Sequence, residues 1–160
     1  MADAAAINAL YNATVATTTV QWTEHLESVS TRQAWVQKHL DAGNPVLVAE
    51  ADTEVIAFAS YDDFRDSSKW PGYRFTVEHT IHVHADHQGT GVGGELLEAL
   101  VARATAAGKH VIIGAIDGEN AGSVRFHAQH GFVEVARLPE LGFKFGRFLD
   151  LVLMQRMLTS

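Results

Sequence analysis

A single glutamate leads into a histidine-rich run, RFTVEHTIHVHADH, which sets Glu78 close to His79, His82, His84 and His87. The run alternates well enough to form a strand, so Glu78, Thr80, His82 and His84 share one face and His79 points the other way. A carboxylate half withdrawn from water on such a strand is a candidate general base, because burial raises its pKa toward neutrality. The histidines also raise a metal reading. Without a cysteine or a tight acidic cluster to complete a tetrahedral set, no metal is expected here.

The next residues, HQGTGVGGELLEAL from His87 to Leu100, crowd four glycines into six positions before an amphipathic helix. Glycines let a backbone approach a phosphate closely, and a helix starting there aims free N–H groups and its dipole at the anion. Two frames fit. Gly89, Gly91 and Gly94 spell the dinucleotide pattern G-x-G-x-x-G, and Asp117 follows at roughly the 20-residue distance of a ribose ligand. Starting from Gln88, the same stretch spells Q-x-x-G-x-G, a pyrophosphate loop. The dinucleotide frame is opposed by Ala85-Asp86-His87-Gln88, which separate the strand from the first glycine. The chain after Gly94 is also too short for the rest of a dinucleotide fold and a substrate domain. No Gly-Lys-Ser/Thr occurs, which excludes a Walker A loop.

The elements that must position these residues follow from periodicity and punctuation. Ala2–Val15 reads as a helix with Ile7, Leu10, Tyr11 and Ala6 on one face. A Thr-rich loop leads to a second helix, capped by Ser30 or Thr31, with Trp35, Val36 and Leu40 toward the core and Gly43-Asn44-Pro45 as its stop. PVLVAE and EVIAFASY form a hairpin across Ala-Asp-Thr. After the loop DDFRDSSKWPG and the Glu78 strand, Gly91–Ala107 is helical and Gly108 ends it. KHVIIGAI is a buried strand, Asn120–His130 a short helix, and FVEVARL and LDLVLMQRM are strands. This order predicts an α/β fold with a mixed sheet.

The 160 residues predict one domain, spanning 1–160. A net charge of −7 argues against nucleic-acid partners, and no apolar run is long enough for a bilayer. The start MADAAAINALYNATV lacks the basic and apolar regions of a secretory signal, and there are no cysteines, so a cytoplasmic location is expected.

Asn120-Ala-Gly-Ser-Val-Arg-Phe-His127-Ala-Gln-His-Gly-Phe132 resembles the second signature of the GNAT-type N-acetyltransferases, as the Gln88 frame resembles their first. Two motifs in the right order, separated by a helix and a strand, are more specific than either alone. TVEHTIHVHADHQGTGVG, AGKHV, DGENAGSVRFH and KFGRFLDLVLMQ, with ALYNATVATTTVQWTE and SYDDFR upstream, look like the narrower phosphinothricin acetyltransferase group. The resemblance covers about Ala2 to Met157. It implies a mixed, mostly antiparallel sheet flanked by helices, with the N-terminal edge strand of that group missing or very short here.

The resemblance also implies the chemistry. Acetyl-CoA is the co-substrate, held by Gln88, Gly89, Gly91, Gly93 and Gly94 at its pyrophosphate and by Asn120 at its pantetheine arm. Gln88 stands where relatives commonly carry Arg, and His127 where many GNAT enzymes carry Tyr, although the narrower group tends to have His. Glu78 is the expected base, the Val83 N–H the expected oxyanion donor, and His127 the expected acid toward the thiolate. Arg65 and Arg74 are candidates for a substrate carboxylate or phosphinate, Arg65 with more support from the resemblance. The expected partner is a small amino-acid-like amine such as phosphinothricin, methionine sulfoximine or methionine sulfone, acted on by a homodimer. The alternatives are another amine (a polyamine, an aminoglycoside, a protein N-terminus) or a CoA-binding protein without turnover.

Overall fold

The computed structural model describes residues 3–158. Its helices are α1 (Ala4–Thr17), α2 (Val29–Asp41), α3 (Val92–Ala106) and α4 (Ala121–Gln129). Its strands are β1 (Val46–Ala51), β2 (Glu54–Asp63), β3 (Thr76–Val83), β4 (Val111–Asp117), β5 (Val133–Lys144) and β6 (Arg147–Met157). The strands follow the order β1-β2-β3-β4-β6-β5. β3 and β4 run parallel, whereas β1/β2, β4/β6 and β5/β6 are antiparallel. The chain forms the expected α/β fold with a mixed sheet. No helix among the described residues is long and apolar enough to cross a membrane.

Contacts divide the chain into two compact units, Met1–Tyr61 with Thr80–Leu100, and Asp62–His79 with Val101–Ser160. In the first unit, Ala4, Ile7 and Leu10 of α1 are buried with Val36 of α2 and Phe58 of β2, and Tyr11, Trp35, Val46, Val48 and Val55 pack around them. The β1/β2 hairpin turns at Asp52-Thr53, both with positive φ, as a two-residue turn that matches strand twist requires.

Two expectations for α2 need correction. Its cap is Ser28, whose side chain accepts a hydrogen bond from the Thr31 N–H, so the helix begins earlier than Ser30 or Thr31 would allow. Leu40 is 51% exposed, whereas Arg32 and His39 are buried with Val36. Arg32 can lie there because the Glu27 carboxylate meets it at 2.6 Å and the rings of Tyr11 and Trp35 flank its guanidinium at 4.1 and 4.7 Å.

In the second unit, Ile112, Ile113 and Ile116 of β4, Phe132, and Leu149, Val152 and Met154 of β6 are buried. β5 runs on to Lys144, well past the FVEVARL run, because an irregularity between Leu138 and Gly142 absorbs Pro139 and Glu140 without ending the pairing with β6.

Candidate active site

In the first unit, a short 3-10 turn at Ala85–His87 carries the chain out of β3 to Gln88. Gly89 and Gly91 hold φ of +77° and +97°, a region costly for any residue with a Cβ, and a Cβ built at either meets no atom within 4 Å. The loop is therefore a turn that glycine makes cheap, with open space where side chains would stand. The Glu95 N–H bonds to the Gly91 carbonyl at 3.1 Å, which opens the α3 ladder. The N–H groups of Val92, Gly93 and Gly94 precede it, at the positive end of a 15-residue helix. This arrangement suits an anion. Leu96, Leu97 and Leu100 are buried and anchor the helix. Gln88 directs its side-chain amide to the Val83 carbonyl at 3.3 Å, so it braces the strand end beneath the loop.

His82, also in this unit, is buried against α1. Its Nδ1 lies 3.2 Å from the Thr14 hydroxyl and its Nε2 3.4 Å from the Gln21 amide. Phe58 stacks on its ring at 4.7 Å. Burial, with the Arg32 charge nearby, pushes its pKa down to about 4.

In the second unit, β3 presents Glu78 half-buried and paired in register with Ile113. Among the described residues its carboxyl has neither a hydrogen bond nor an ion pair. Desolvation raises its pKa, with no cation to offset that. The next residue, His79, is 7% exposed and His127 on α4 only 3%. Their Nε2 atoms lie 3.2 Å apart and their rings 5.1 Å apart, with Phe132 edge-on to both. The His127 Nδ1 sits 2.7 Å from the Ser123 carbonyl one turn back. Both His127 nitrogens therefore meet protein partners. Burial lowers both pKa values, that of His79 to about 3.

Gly114 faces this pair. In the parallel β3/β4 register it stands opposite His79, and a Cβ there would lie 3.0 Å from the His79 Nε2 and 3.2 Å from the His127 Nε2. Neither the pairing of His79 with His127 nor the place of Gly114 follows from sequence spacing. The one available signal was a lone glycine inside the apolar strand VIIGAI, which marks a close approach.

Asn120 caps α4, its side-chain oxygen accepting from the Ser123 N–H at 3.0 Å. The oxygen is committed to the helix, and only the amide N–H groups remain for a ligand. Arg74 is exposed and turned back on its own loop, donating to the Pro71 carbonyl at 2.9 Å with its guanidinium over Phe75. Arg65, also exposed, lies over Tyr73 at 5.5 Å and Phe64 at 5.9 Å. Among the described residues no group of three or more His, Asp or Glu could hold a metal ion.

Residues 7–132 match the profile of the Acetyltransferase (GNAT) family. The chain is 42% identical over 159 residues to an L-methionine sulfoximine/L-methionine sulfone acetyltransferase of Salmonella typhimurium, covering 99% of this chain and 91% of the relative. It is 39% identical to a phosphinothricin N-acetyltransferase of Alcaligenes faecalis, covering 99% and 79%. A solved Salmonella typhimurium structure, described as an acetyltransferase with its cofactor acetyl-CoA, superposes with a TM-score of 0.95 at 42% identity, covering 99% and 90%. The chain belongs to the GNAT acetyltransferase family.

Proposed function

We propose that this chain transfers the acetyl group of acetyl-CoA to the α-amino group of a small amino-acid-like compound of the methionine sulfoximine, methionine sulfone or phosphinothricin type. Bound acetyl-CoA supplies an activated acyl thioester. The Gly89–Gly94 loop fits such a ligand, since it offers backbone N–H groups, and open space at Gly89 and Gly91, to a pyrophosphate. The Asn120 amide N–H groups suit the carbonyl oxygens of a pantetheine arm.

The observation that carries the reading is the half-buried Glu78 carboxyl, without a cation and raised in pKa. A substrate amine arrives as ammonium and must lose a proton before it can attack; a carboxylate of raised pKa takes that proton near neutrality. The amine then bonds to the acyl carbon, the Val83 N–H supports the oxyanion, and the carbon–sulfur bond breaks. The products are an amide, the CoA thiol and one proton passed on through Glu78. His127 is the candidate donor to the departing thiolate, a role that requires its ring, once protonated, to turn the Nε2–H from His79 toward the sulfur. Arg65, more than Arg74, is the candidate for the substrate's anionic group, because Arg74 is committed to Pro71.

Thiol release from acetyl-CoA, measured against amino acids, methionine sulfone, methionine sulfoximine and phosphinothricin, tests the reading. Glu78→Gln should lower kcat about 10²–10³-fold with little change in the KM for acetyl-CoA. Wild-type kcat/KM should fall on the acid side, through a pKa above the ordinary carboxylate value. An unchanged kcat in Glu78→Gln overturns Glu78 as base, and acetyl-CoA binding without turnover on any amine favours a binding protein.

The same reading includes a homodimer and a cytoplasmic location, where acetyl-CoA is available. Val135, Leu141, Phe143 and Phe148 of the β5/β6 hairpin are all exposed, an apolar surface suited to a second copy. Sedimentation should show a dimer that Phe148→Glu weakens; a wild-type monomer at all concentrations refutes this part.

A further inference from the structure

The two buried histidines of the second unit fix one another's protons. A ring nitrogen 2.7 Å from a carbonyl oxygen must carry hydrogen, so the His127 Nδ1–H donates to Ser123 and the neutral ring leaves its Nε2 bare. The His79 Nε2 faces that bare nitrogen at 3.2 Å, and two lone pairs would repel, so the His79 Nε2 bears the hydrogen and donates it. The His79 Nδ1 is then bare, and it is buried with no hydrogen-bond partner. The rings thus take opposite tautomers, and Gly114 leaves the space in which their Nε2 atoms meet.

We propose that His79 is the positioning residue of His127: its Nε2–H holds His127 in the Nδ1–H tautomer and fixes the orientation of its ring. The resting pair is neutral, and the hydrogen between the two rings belongs to His79. Among the described residues, His130, further along α4, also opposes protonation of His127.

The kinetic part of this inference rests on the acetyl-transfer reading; the tautomers do not. Nitrogen-15 NMR of the histidine-labelled full-length protein at neutral pH should show His79 protonated at Nε2 and His127 at Nδ1. The same tautomer in both rings overturns the proposal, with or without any measurable turnover. His79→Gln keeps an amide donor near the Nε2 position and cannot titrate, whereas His79→Leu keeps bulk without a donor. His79→Gln should retain the His127 tautomer and hold kcat within about threefold of the wild type. In His79→Leu, kcat should fall about tenfold and the His127 spectrum should no longer report the Nδ1–H tautomer alone. Identical pH profiles and His127 spectra in the two variants would mean that His79 only fills space. Should the leucine variant fail to fold, the wild-type and glutamine spectra decide the question alone.

Discussion

His82 and the His79–His127 pair are both taken out of water, but their nitrogens meet different partners. His82 faces a threonine hydroxyl on one side and a glutamine amide on the other, neither of which titrates near neutrality. The Thr14 hydroxyl gives its own hydrogen to the Leu10 carbonyl, so it can only accept from His82, and the tautomer is settled. His127 faces another imidazole across 3.2 Å, so its hydrogen-bond partner there is a group that itself titrates. Burial alone does not mark a histidine for chemistry. A fully satisfied ring is part of the scaffold; a ring whose partner can itself exchange a proton retains a second state.

Acid stability is the harshest way to test that contrast. His82 is neutral when folded, with its pKa lowered to about 4, whereas in the unfolded chain it protonates near 6.5. The unfolded state therefore binds the proton first, and stability falls as pH drops from about 6.5 toward 4, by about 3 kcal/mol for this one group. Urea unfolding across that range should show a shallower loss in His82→Gln, the remainder coming from His79 and His127, which are also buried neutral; an unchanged slope would mean His82 is not buried neutral. A smaller effect is expected at Gly114. Gly114→Ala should cost about 2 kcal/mol through crowding, and it should also disturb the opposite tautomers, because the methyl would meet both Nε2 atoms. Thermal melts and imidazole spectra of this variant would break the comparison if stability fell while the spectra stayed as in the wild type.

Much of the scaffold was legible in local pattern. The α3 stripe of Leu96, Leu97 and Leu100 and the apolar β4 run announced themselves, since both depend on near neighbours and on a simple period. The glycine loop was legible too, because its conformation demands a residue type. Arg32 was not: its burial depends on Glu27, Tyr11 and Trp35 closing around it, and a helical wheel would assign that place to Leu40. β5 outran its expected end because a bulge accommodates Pro139 and Glu140, and no propensity records that compensation. Glu78 stood out as the acid in a histidine-rich strand. The pairing of His79 with His127 spans 48 positions and two kinds of element, and no spacing rule reaches so far.

Peptide N–H groups at Gly89–Gly94 offer attraction to an anion without any fixed positive charge. The acidic balance of the chain, −7 overall, therefore need not be compromised by a lysine or arginine cluster at that loop. It remains available as colloidal charge, keeping solvated faces of separate molecules apart in a crowded solution. Attraction for an anion at the loop and charge over the surface are thus carried by different parts of the polypeptide, main chain for one and side chains for the other.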